Sequence, residues 1–573
     1  MSREEMDALG WAELDVLLVS GDAYVDHPSF GVPLLGRWLV AHGLRVGVVA
    51  QPAWAGTHDV ARLGRPRLLA GISAGALDSM LAHYTAFRKK RHDDAYTPGG
   101  QAGARPNRAV TVYANLLRRA FPGLPLVAGG IEASLRRLTH YDFWTDSLRR
   151  SILFDARLDL LVCGMGEQAL LTAAQRLDAA LDGASPPLKT PAPSVVWDGI
   201  PGTARLVRQA DLADLAALPG RDPVWLPAHE DQLASPAKLL EAALAHELHA
   251  HQAGRPCVQL AGDRAVWLER PAAPLSVAAL DALYDLPFSR RPHPAYGLKI
   301  PAAAMIAASI TTHRGCAGGC SFCSLALHQG RRLASRSAAS VLREAGRLAG
   351  ESGFSGAISD VGGPSANMWQ ARCRFDPDRC SRPSCLHPAI CPGFAAAQGA
   401  CIDLLRRVRD VPGIRHVRVA SGVRFDLALA DAEALAAYVG EFTGGQLKAA
   451  PEHCRPSVLR LMRKPGIKAF ERFLAAFAGH SRGKNKKQYV VPYLISAFPG
   501  CTDEDMRDLA DWLARRRFSP QQVQCFIPTP GTVATAMFYS GLDPEGKAIF
   551  VARSDAERLR QHRLIAGGKA GAG

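Results

Sequence analysis

The sequence predicts an α/β protein in which a doubly wound parallel sheet precedes a partial parallel (β/α) barrel. Short apolar runs of strand length alternate with helical stretches along most of the chain, and several runs end in glycine-rich turns. In folds of this class, ligands bind at the carboxyl ends of the parallel strands. The chain has 573 residues, which is too long for one core, so we expect more than one domain.

The amino-terminal part of the chain contains five predicted strands separated by helices. The strands are expected at 15–20, 45–50, 68–73, 124–128 and 159–163. We assign residues 1–180 to this doubly wound domain. Residues 181–298 are expected to form a partly helical connecting region, with a Pro- and Ser-rich linker at 182–193 and a hairpin at 195–207.

The carboxyl-terminal part resumes the alternation of strands and helices. Six strands are expected at 305–311, 356–360, 416–420, 446–450, 489–496 and 522–527. We assign residues 299–540 to this barrel domain and 541–573 to a short extension. The Gly- and Ala-rich tail at 566–573 is expected to be disordered.

Composition and charge limit which classes of protein and which binding partners the sequence predicts. The apolar runs are too short to span a bilayer, and four acidic residues among the first thirteen oppose a signal peptide, so we expect a cytoplasmic protein without a membrane partner. The net charge is +15, from 68 basic and 53 acidic residues. The basic runs lack interleaved aromatic residues, which favours a charge spread over the surface rather than a nucleic-acid platform.

Cysteine usage indicates metal chemistry. Thirteen cysteines in a cytoplasmic chain do not predict a disulfide framework, and seven of them lie between Cys316 and Cys391. Within this stretch, HRGCAGGCSFCS places Cys316, Cys320 and Cys323 on a Gly-rich loop just after an apolar strand. Three thiolates at this spacing can hold one face of a 4Fe-4S cluster and leave one iron open. A structural zinc site, the alternative, normally takes four ligands in paired groups.

The spacing resembles the signature of radical S-adenosylmethionine (radical SAM) enzymes, whose open iron binds SAM. Further segments resemble that family in order along the barrel. Gly362 and Gly363 follow the second strand, where the family's Gly-Gly-Glu contacts SAM, although Pro364 replaces the Glu here. Arg424 follows the third strand and Glu452 ends the fourth, and the resemblance implies contacts of both with SAM or substrate. Phe322 resembles the aromatic residue that packs beside the adenine of SAM.

A second group of cysteines follows the Gly362-Gly363 turn. Cys373, Cys380, Cys385 and Cys391 lie within nineteen residues, among prolines that preclude a regular helix. We expect this irregular loop to fold around a second metal site. The sequence leaves both an iron–sulfur cluster and a zinc ion open for that site.

Most of the chain resembles the YgiQ-type radical SAM proteins, a bacterial family without an assigned substrate. The matching segments are 94–100, 129–137, 140–141, 290–294, 360–364, 385–391 and 497–500. The resemblance implies the radical SAM barrel and the three cluster ligands. It also implies that the amino-terminal domain is similar to cobalamin-binding domains, but the Asp-x-His-x-x-Gly motif for cobalamin is out of register at Asp26 and His27, and we do not expect cobalamin.

The predicted function is reductive cleavage of SAM to a 5′-deoxyadenosyl radical that acts on an unknown substrate, which could be an RNA or a small molecule. The barrel motifs resemble those of methylthiotransferases and favour methyl or sulfur-group transfer. An electron donor such as a flavodoxin or ferredoxin is the implied partner. The alternative from another class is an RNA-binding or scaffold protein with structural metal–cysteine sites.

Overall fold

The computed structural model describes residues 1–182, 194–252, 254–483, 487–520 and 522–566. Two compact units make up the chain: the first contains Met1–Ala273 and Leu286–Ala307, and the second contains Pro274–Asp285 and Ala308–Gly573. Most of the linker expected at 182–193 and nearly all of the tail expected at 566–573 lie outside the described residues. Among the described residues, no helix is long and apolar enough to cross a bilayer.

The first unit contains eleven described strands. They are β1 Val16–Ser20, β2 Val46–Ala50, β3 Leu69–Ser73, β4 Leu126–Gly129, β5 His140–Asp142, β6 Ser147–Arg149, β7 Leu160–Val162, β8 Thr203–Arg208, β9 Val224–Trp225, β10 Cys257–Ala261 and β11 Arg264–Leu268. Its helices are Arg3–Ala8, Gly31–Ala41, His58–Ala61, Ser79–His83, Ala109–Ala120, Gly130–Leu135, Ile152–Asp155, Glu167–Asp182, Ser194–Trp197, Leu212–Ala216, His229–Ala234, Pro236–His251 and Pro301–Ile306, with 3-10 turns at Pro98–Gly100 and Gln209–Asp211.

Nine of these strands form one sheet in the order β2-β1-β3-β4-β7-β8-β11-β10-β9. The pairs from β2 to β7 are parallel, and β8, β11 and β10 are joined by antiparallel pairings. β1 is fully buried, as its continuous apolar run predicts for a central parallel strand. The chain passes from β1 to β2 on one side of β1 and then crosses over to β3 on the other side. The topological switch point therefore lies between β1 and β3.

The predicted connecting region completes this sheet. β8, β9, β10 and β11 all belong to residues 203–268, and β10 and β11 form an antiparallel hairpin. The hairpin expected at 195–207 is wrong: the chain forms the short helix Ser194–Trp197, and β8 then pairs with β7 and β11. The turn residues between 198 and 202 therefore link a helix to a strand.

The second unit contains the barrel. Its strands are β12 Ser309–Thr311, β13 His313–Arg314, β14 Ala334–Ser335, β15 Ala357–Ile358, β16 Asp360–Gly362, β17 Arg372–Cys373, β18 Phe394–Ala395, β19 His416–Val417, β20 Gln446–Glu452, β21 Tyr489–Ser496 and β22 Gln522–Cys525. Its helices are Val277–Tyr284, Leu325–His328, Ala338–Ala349, Gln398–Arg409, Phe425–Ala428, Ala432–Ala437, Pro456–Met462, Ile467–Gly483, Asp503–Arg515, Val533–Ser540 and Asp555–Ala566, with a π-helix at Tyr438–Phe442 and 3-10 turns at Ala366–Met368 and Pro377–Arg379.

All six predicted barrel strands are present and pair in parallel. β12 pairs with β16, β15 pairs with β19, and β20, β21 and β22 form a three-stranded sheet. The second predicted strand is divided at Ser359, whose amide donates to the carbonyl oxygen of Ala308. As a result, β15 pairs with β19 and β16 pairs with β12. The first strand begins at Ser309, later than predicted, because Pro301 starts a helix that runs to Ile306.

Candidate active site

The three predicted cluster ligands lie in one loop of the second unit, between β13 and the helix Leu325–His328. A Cβ atom placed on Gly318 would lie 3.4 Å from Cys316 Sγ and 3.8 Å from Cys320 Sγ, so both sulfur atoms face the same side of the loop. Burial and then the neighbouring thiols raise the pKa of Cys323 to about 12, which places the third thiol close to the other two. Soft donors crowded in this way suit the iron of a 4Fe-4S cluster.

Two glycines allow the sharp backbone turns of this loop. Gly315 has φ 87°, and a Cβ atom there would lie 2.4 Å from the carbonyl oxygen of Arg332. Gly319 has φ 59°, and its Cβ atom would lie 2.2 Å from the carbonyl oxygen of Pro383. Both positions combine a left-handed backbone with a close backbone approach, which only glycine accommodates.

A buried ion pair lies beside the cysteines. Arg424 Nη1 lies 3.8 Å from Cys320 Sγ, and the guanidinium donates to both oxygens of Asp426 at 2.9 and 2.6 Å. Burial disfavours the ionised carboxyl, yet Arg424 holds the pKa of Asp426 below its ordinary value. Arg424 therefore carries a fixed positive charge next to the sulfur atoms, oriented by a bidentate partner.

A second buried pair comes from the end of β20. Glu452 Oε1 lies 3.5 Å from Lys464 Nζ, both side chains are buried, and Glu452 has a positive φ of 69°. Burial raises the pKa of Glu452 in spite of Lys464, whose charge also acts on the thiols of Cys316 and Cys323. The site thus contains a carboxyl group that holds a proton more tightly than an exposed glutamate does.

The predicted Gly362-Gly363 turn lies at the end of β16. The carbonyl oxygen of Gly362 accepts hydrogen bonds from the amide of Thr312 at 2.7 Å and from its hydroxyl at 3.2 Å. A carbonyl oxygen has two lone pairs, so both acceptor positions of Gly362 are used within the barrel. A Cβ atom on Gly363 would lie 2.7 Å from atoms of His313, so a larger residue at position 363 would collide with His313.

Phe322, between the last two cysteines, packs in an aromatic row. Its ring meets Phe498 edge to face with centroids 6.1 Å apart, and Phe498 in turn meets Phe526 at 5.3 Å. Phe498 is fully buried and Phe322 is half-buried, so the row leads from the barrel core to the cysteine loop. This arrangement offers an apolar surface beside the thiols.

Comparison with known proteins identifies the family. The radical SAM N-terminal family matches residues 1–309, and the radical SAM superfamily matches residues 310–513. A UPF0313 protein of Geobacter sulfurreducens is 48% identical over 570 residues, which cover 99% of this chain and 91% of that protein. The UPF0313 protein YgiQ of Escherichia coli is 42% identical over 616 residues, which cover 99% of this chain and 83% of YgiQ.

The chain belongs to the YgiQ-type (UPF0313) family of radical SAM proteins. This confirms the family predicted from the sequence and makes the chain a radical SAM enzyme, a class that uses a 4Fe-4S cluster and SAM. Among solved structures, the radical SAM methyltransferase TsrM from Kitasatospora setae with cobalamin and a 4Fe-4S cluster bound is similar in fold. Its TM-score is 0.50 at 17% identity, and the match covers 91% of this chain and 76% of TsrM.

The other predicted cysteines of this radical SAM enzyme lie in a segment defined here as the second cysteine segment, residues 372–395. Burial raises the pKa of Cys385, opposed in part by Arg331, whose guanidinium donates to Cys385 Sγ at 3.6 Å. Cys391 is buried in an apolar cluster, and its amide donates to the carbonyl oxygen of Cys385 at 2.7 Å. Among the described residues, no group of three or more His, Cys, Asp or Glu side chains is placed to hold a single metal ion, in this segment or in the first loop.

Several residues of the site escaped the sequence reasoning. Asp426 pairs with Arg424 and Lys464 pairs with Glu452, and neither partner was predicted. Arg331 donates to Cys385 Sγ at 3.6 Å, but its position in a basic dipeptide gave no signal for that contact. Tertiary pairing of this kind is not visible in sequence spacing.

The glycine-rich strand ends of the first unit have internal packing roles. At the switch point, Arg105 is fully buried, pairs with Asp22 and Asp94 at 3.0 Å each, and donates to the carbonyl oxygen of Ala74 at 2.7 Å. A Cβ atom on Gly130 would lie 2.6 Å from Ser73 Oγ. The chain's own side chains thus occupy part of the edge where a doubly wound sheet binds ligands.

Proposed function

We propose that this radical SAM enzyme binds SAM beside the loop of Cys316, Cys320 and Cys323 and uses it to abstract a hydrogen atom from a substrate. The single observation that carries the proposal is the tightly turned loop that brings Cys316 Sγ and Cys320 Sγ to the same side of Gly318, with Cys323 in the same loop. When bound there, a 4Fe-4S cluster with an open iron supplies a binding site for SAM and the electron that cleaves SAM to a 5′-deoxyadenosyl radical.

The surrounding side chains would orient SAM and the substrate. Because the carbonyl of Gly362 is already saturated, we assign the contact with the amino group of SAM to the carbonyl of Gly363. Arg424 would attract the carboxylate of SAM, and Phe322 would pack beside its adenine. Glu452, whose pKa burial raises in spite of Lys464, would contact SAM or the substrate.

We further propose methyl or sulfur-group transfer as the reaction and a flavodoxin or ferredoxin as the electron donor. The segment from Glu452 to Lys464, which resembles that of methylthiotransferases, supports the reaction class by placing two ionisable groups beside the loop. The substrate, an RNA or a small molecule, remains to be identified by profiling the RNA modifications and metabolites of a deletion strain.

The proposal is tested with anaerobically purified full-length protein, dithionite and SAM. We expect 5′-deoxyadenosine to form with the wild type and to be lost with Cys320→Ala. Cys401→Ser is the matched control, since Cys401 is a buried thiol that donates to the carbonyl oxygen of Trp369. A wild-type protein that contains zinc and no iron, and that yields no 5′-deoxyadenosine, would refute the proposal in favour of an RNA-binding or scaffold protein with structural metal.

A further inference from the structure

Two hairpins follow neighbouring strands of the sheet in the first unit and pack against each other. One, defined here as the basic hairpin, comprises residues 84–91 and follows β3 and the helix Ser79–His83. The other is formed by β5 and β6 and follows β4 and the helix Gly130–Leu135. β3 and β4 are parallel neighbours, so both connections start at the edge where α/β sheets bind their ligands.

The basic hairpin is held in a defined conformation by its backbone. Tyr84 and Lys90 form an antiparallel bridge, and the amide of Thr85 donates to the carbonyl oxygen of Lys89 at 2.8 Å. The hydroxyl oxygen of Thr85 accepts from the amides of Phe87 and Lys89 at 3.3 and 3.2 Å. These bonds fix where the side chains of the turn leave the backbone.

The tip of the basic hairpin carries positive charge that no nearby carboxylate compensates. Four exposed cations and an exposed histidine follow one another, namely Arg88, Lys89, Lys90, Arg91 and His92. None of the four cations forms an ion pair with a carboxylate of the described residues. The next arginines along the chain, Arg105 and Arg108, each pair with an aspartate. An anionic partner would therefore meet several uncompensated charges at one exposed turn.

The fold brings aromatic rings beside this charge, although no aromatic residue lies within the basic run itself. The guanidinium of Arg88 lies 4.5 Å from the centre of the Phe143 ring, and its Nη2 donates to the carbonyl oxygen of Phe143 at 3.1 Å. The rings of Tyr84 and Trp144 have centroids 5.4 Å apart, and both residues are half-buried. Single-stranded nucleic acids bind where cations meet their phosphates and aromatic rings stack on their bases. The two hairpins together supply both kinds of group.

We propose that the surface formed by the basic hairpin and Trp144 binds single-stranded RNA. Lys89, Lys90 and Arg91 contact phosphates, and the rings of Tyr84 and Trp144 stack on bases. Duplex RNA fits this surface less well, because its bases are already stacked on one another and do not reach the rings. As a statement about the substrate, the inference rests on the proposed function. As a binding surface, it requires neither the cluster nor SAM.

Fluorescence anisotropy with the anaerobic full-length protein and a labelled single-stranded RNA of about 20 nucleotides tests this surface. The basic-hairpin variant combines Lys89→Gln, Lys90→Gln and Arg91→Gln. We expect the wild-type affinity to fall roughly 20-fold between about 0.05 and 0.2 M salt. The slope of log affinity against log salt should be smaller by about 2 in the variant, because three phosphate contacts are lost.

The matched control removes the same number of charges from another surface. Lys468→Gln, Arg472→Gln and Arg515→Gln change exposed positions on two helices of the second unit. This control should keep the wild-type affinity and salt slope. Equal slopes in the wild type and the basic-hairpin variant, or equal losses in the variant and the control, would overturn the proposal.

Stacking has a separate readout at Trp144. Trp144→Leu should weaken binding about tenfold at both salt concentrations without changing the salt slope, and Trp144→Phe, which keeps a ring, should retain most of the affinity. Polyglutamate and a duplex of the same RNA sequence are the comparison probes. Either probe binding as tightly as the single strand would show a general contact for anions or acidic proteins and refute the RNA assignment. That result leaves the proposed function standing, because 5′-deoxyadenosine formation is measured without RNA.

Discussion

At the scale of single residues, the site depends on charges that are buried in pairs. Replacement of Arg424 by Met would leave Asp426 ionised and buried without its bidentate partner. We expect the free energy of unfolding to fall by about 3–5 kcal/mol, and most of this loss to be recovered when Asp426 is also changed to Leu. Urea-induced unfolding of the iron-free full chain measures both effects. A double variant as unstable as Arg424→Met would contradict the pairing.

Asp22 gives the first unit a pH-dependent stability. Burial, opposed only in part by Arg105, raises the pKa of Asp22 to about 6. Because the folded-state pKa lies above the unfolded value, the contribution of this group is complete at low pH and is lost as the pH rises through 6.

We therefore expect Asp22→Asn to match the wild type below about pH 4 and to exceed its free energy of unfolding by up to ~3 kcal/mol at about pH 7.5. Urea unfolding across that range measures the difference between the two proteins. A difference that does not change with pH would show that Asp22 titrates normally. Arg105 keeps its bonds to Asp94 in the variant, so the comparison isolates one carboxyl group.

Residue identities at the site were largely accessible from the sequence because strand ends carry them. Arg424 and Glu452 were singled out because the strand-end segments that contain them resemble radical SAM motifs; Arg424 lies 3.8 Å from Cys320 Sγ, and Glu452 pairs with Lys464. Their partners Asp426 and Lys464 were not singled out as partners, because a salt bridge depends on side-chain direction in three dimensions. The saturation of the Gly362 carbonyl was equally invisible, since it arises from the pairing of β12 with β16.

At the scale of elements, the shape of the cysteine loop depends on Gly319. We expect Gly319→Ala to lower the iron content of the first site strongly, because its Cβ atom would lie 2.2 Å from the Pro383 carbonyl oxygen. Gly330→Ala is the matched control: Gly330 also has a positive φ, of 87°, but its Cβ atom would meet no atom within 4 Å. The control should cost only about 1 kcal/mol and keep its iron. Equal iron loss in both variants would show that the positive φ of the glycine, rather than the contact with Pro383, is responsible.

The carboxyl edge of the first sheet allows another prediction. Because Arg105, Asp22 and Asp94 fill the switch point, we expect the full chain to leave a gel-filtration column without corrinoid absorbance after incubation with hydroxocobalamin. A radical SAM protein known to bind cobalamin serves as the positive control. Stoichiometric co-elution of cobalamin with the chain would overturn this expectation.

Periodicity predicted the parallel strands well and the antiparallel ones poorly. β1 to β4 and β7 lie in largely apolar runs bounded by turn residues, and these strands and the six barrel strands were located from the sequence. β8 to β11 were missed or misassigned although β8, β10 and β11 are as long as β1 to β3, because this region was expected to be a partly helical connection; β9 has only two residues. Such strands are defined by their partners in the sheet rather than by a local pattern.

At the scale of the whole molecule, the chain carries a net charge of +15, and several of its arginines form ion pairs with nearby carboxylates. Arg406 and Arg409 both pair with Glu441, and Arg45 and Arg67 both pair with Asp15. We expect binding to a mixed-sequence RNA to be weak and to be lost between about 0.05 and 0.2 M salt, as for a non-specific electrostatic contact. Fluorescence anisotropy at several salt concentrations measures this. Tight binding that persists at the higher salt would favour an RNA substrate.

The close contact between Gly319 and the Pro383 carbonyl oxygen has a consequence for how the protein matures in the cell. The loop that carries one set of thiols takes its shape from the segment that carries the other, so neither can be completed while its neighbour is unfolded. Iron delivery to the first cysteine loop should therefore follow the folding of the second cysteine segment rather than precede it.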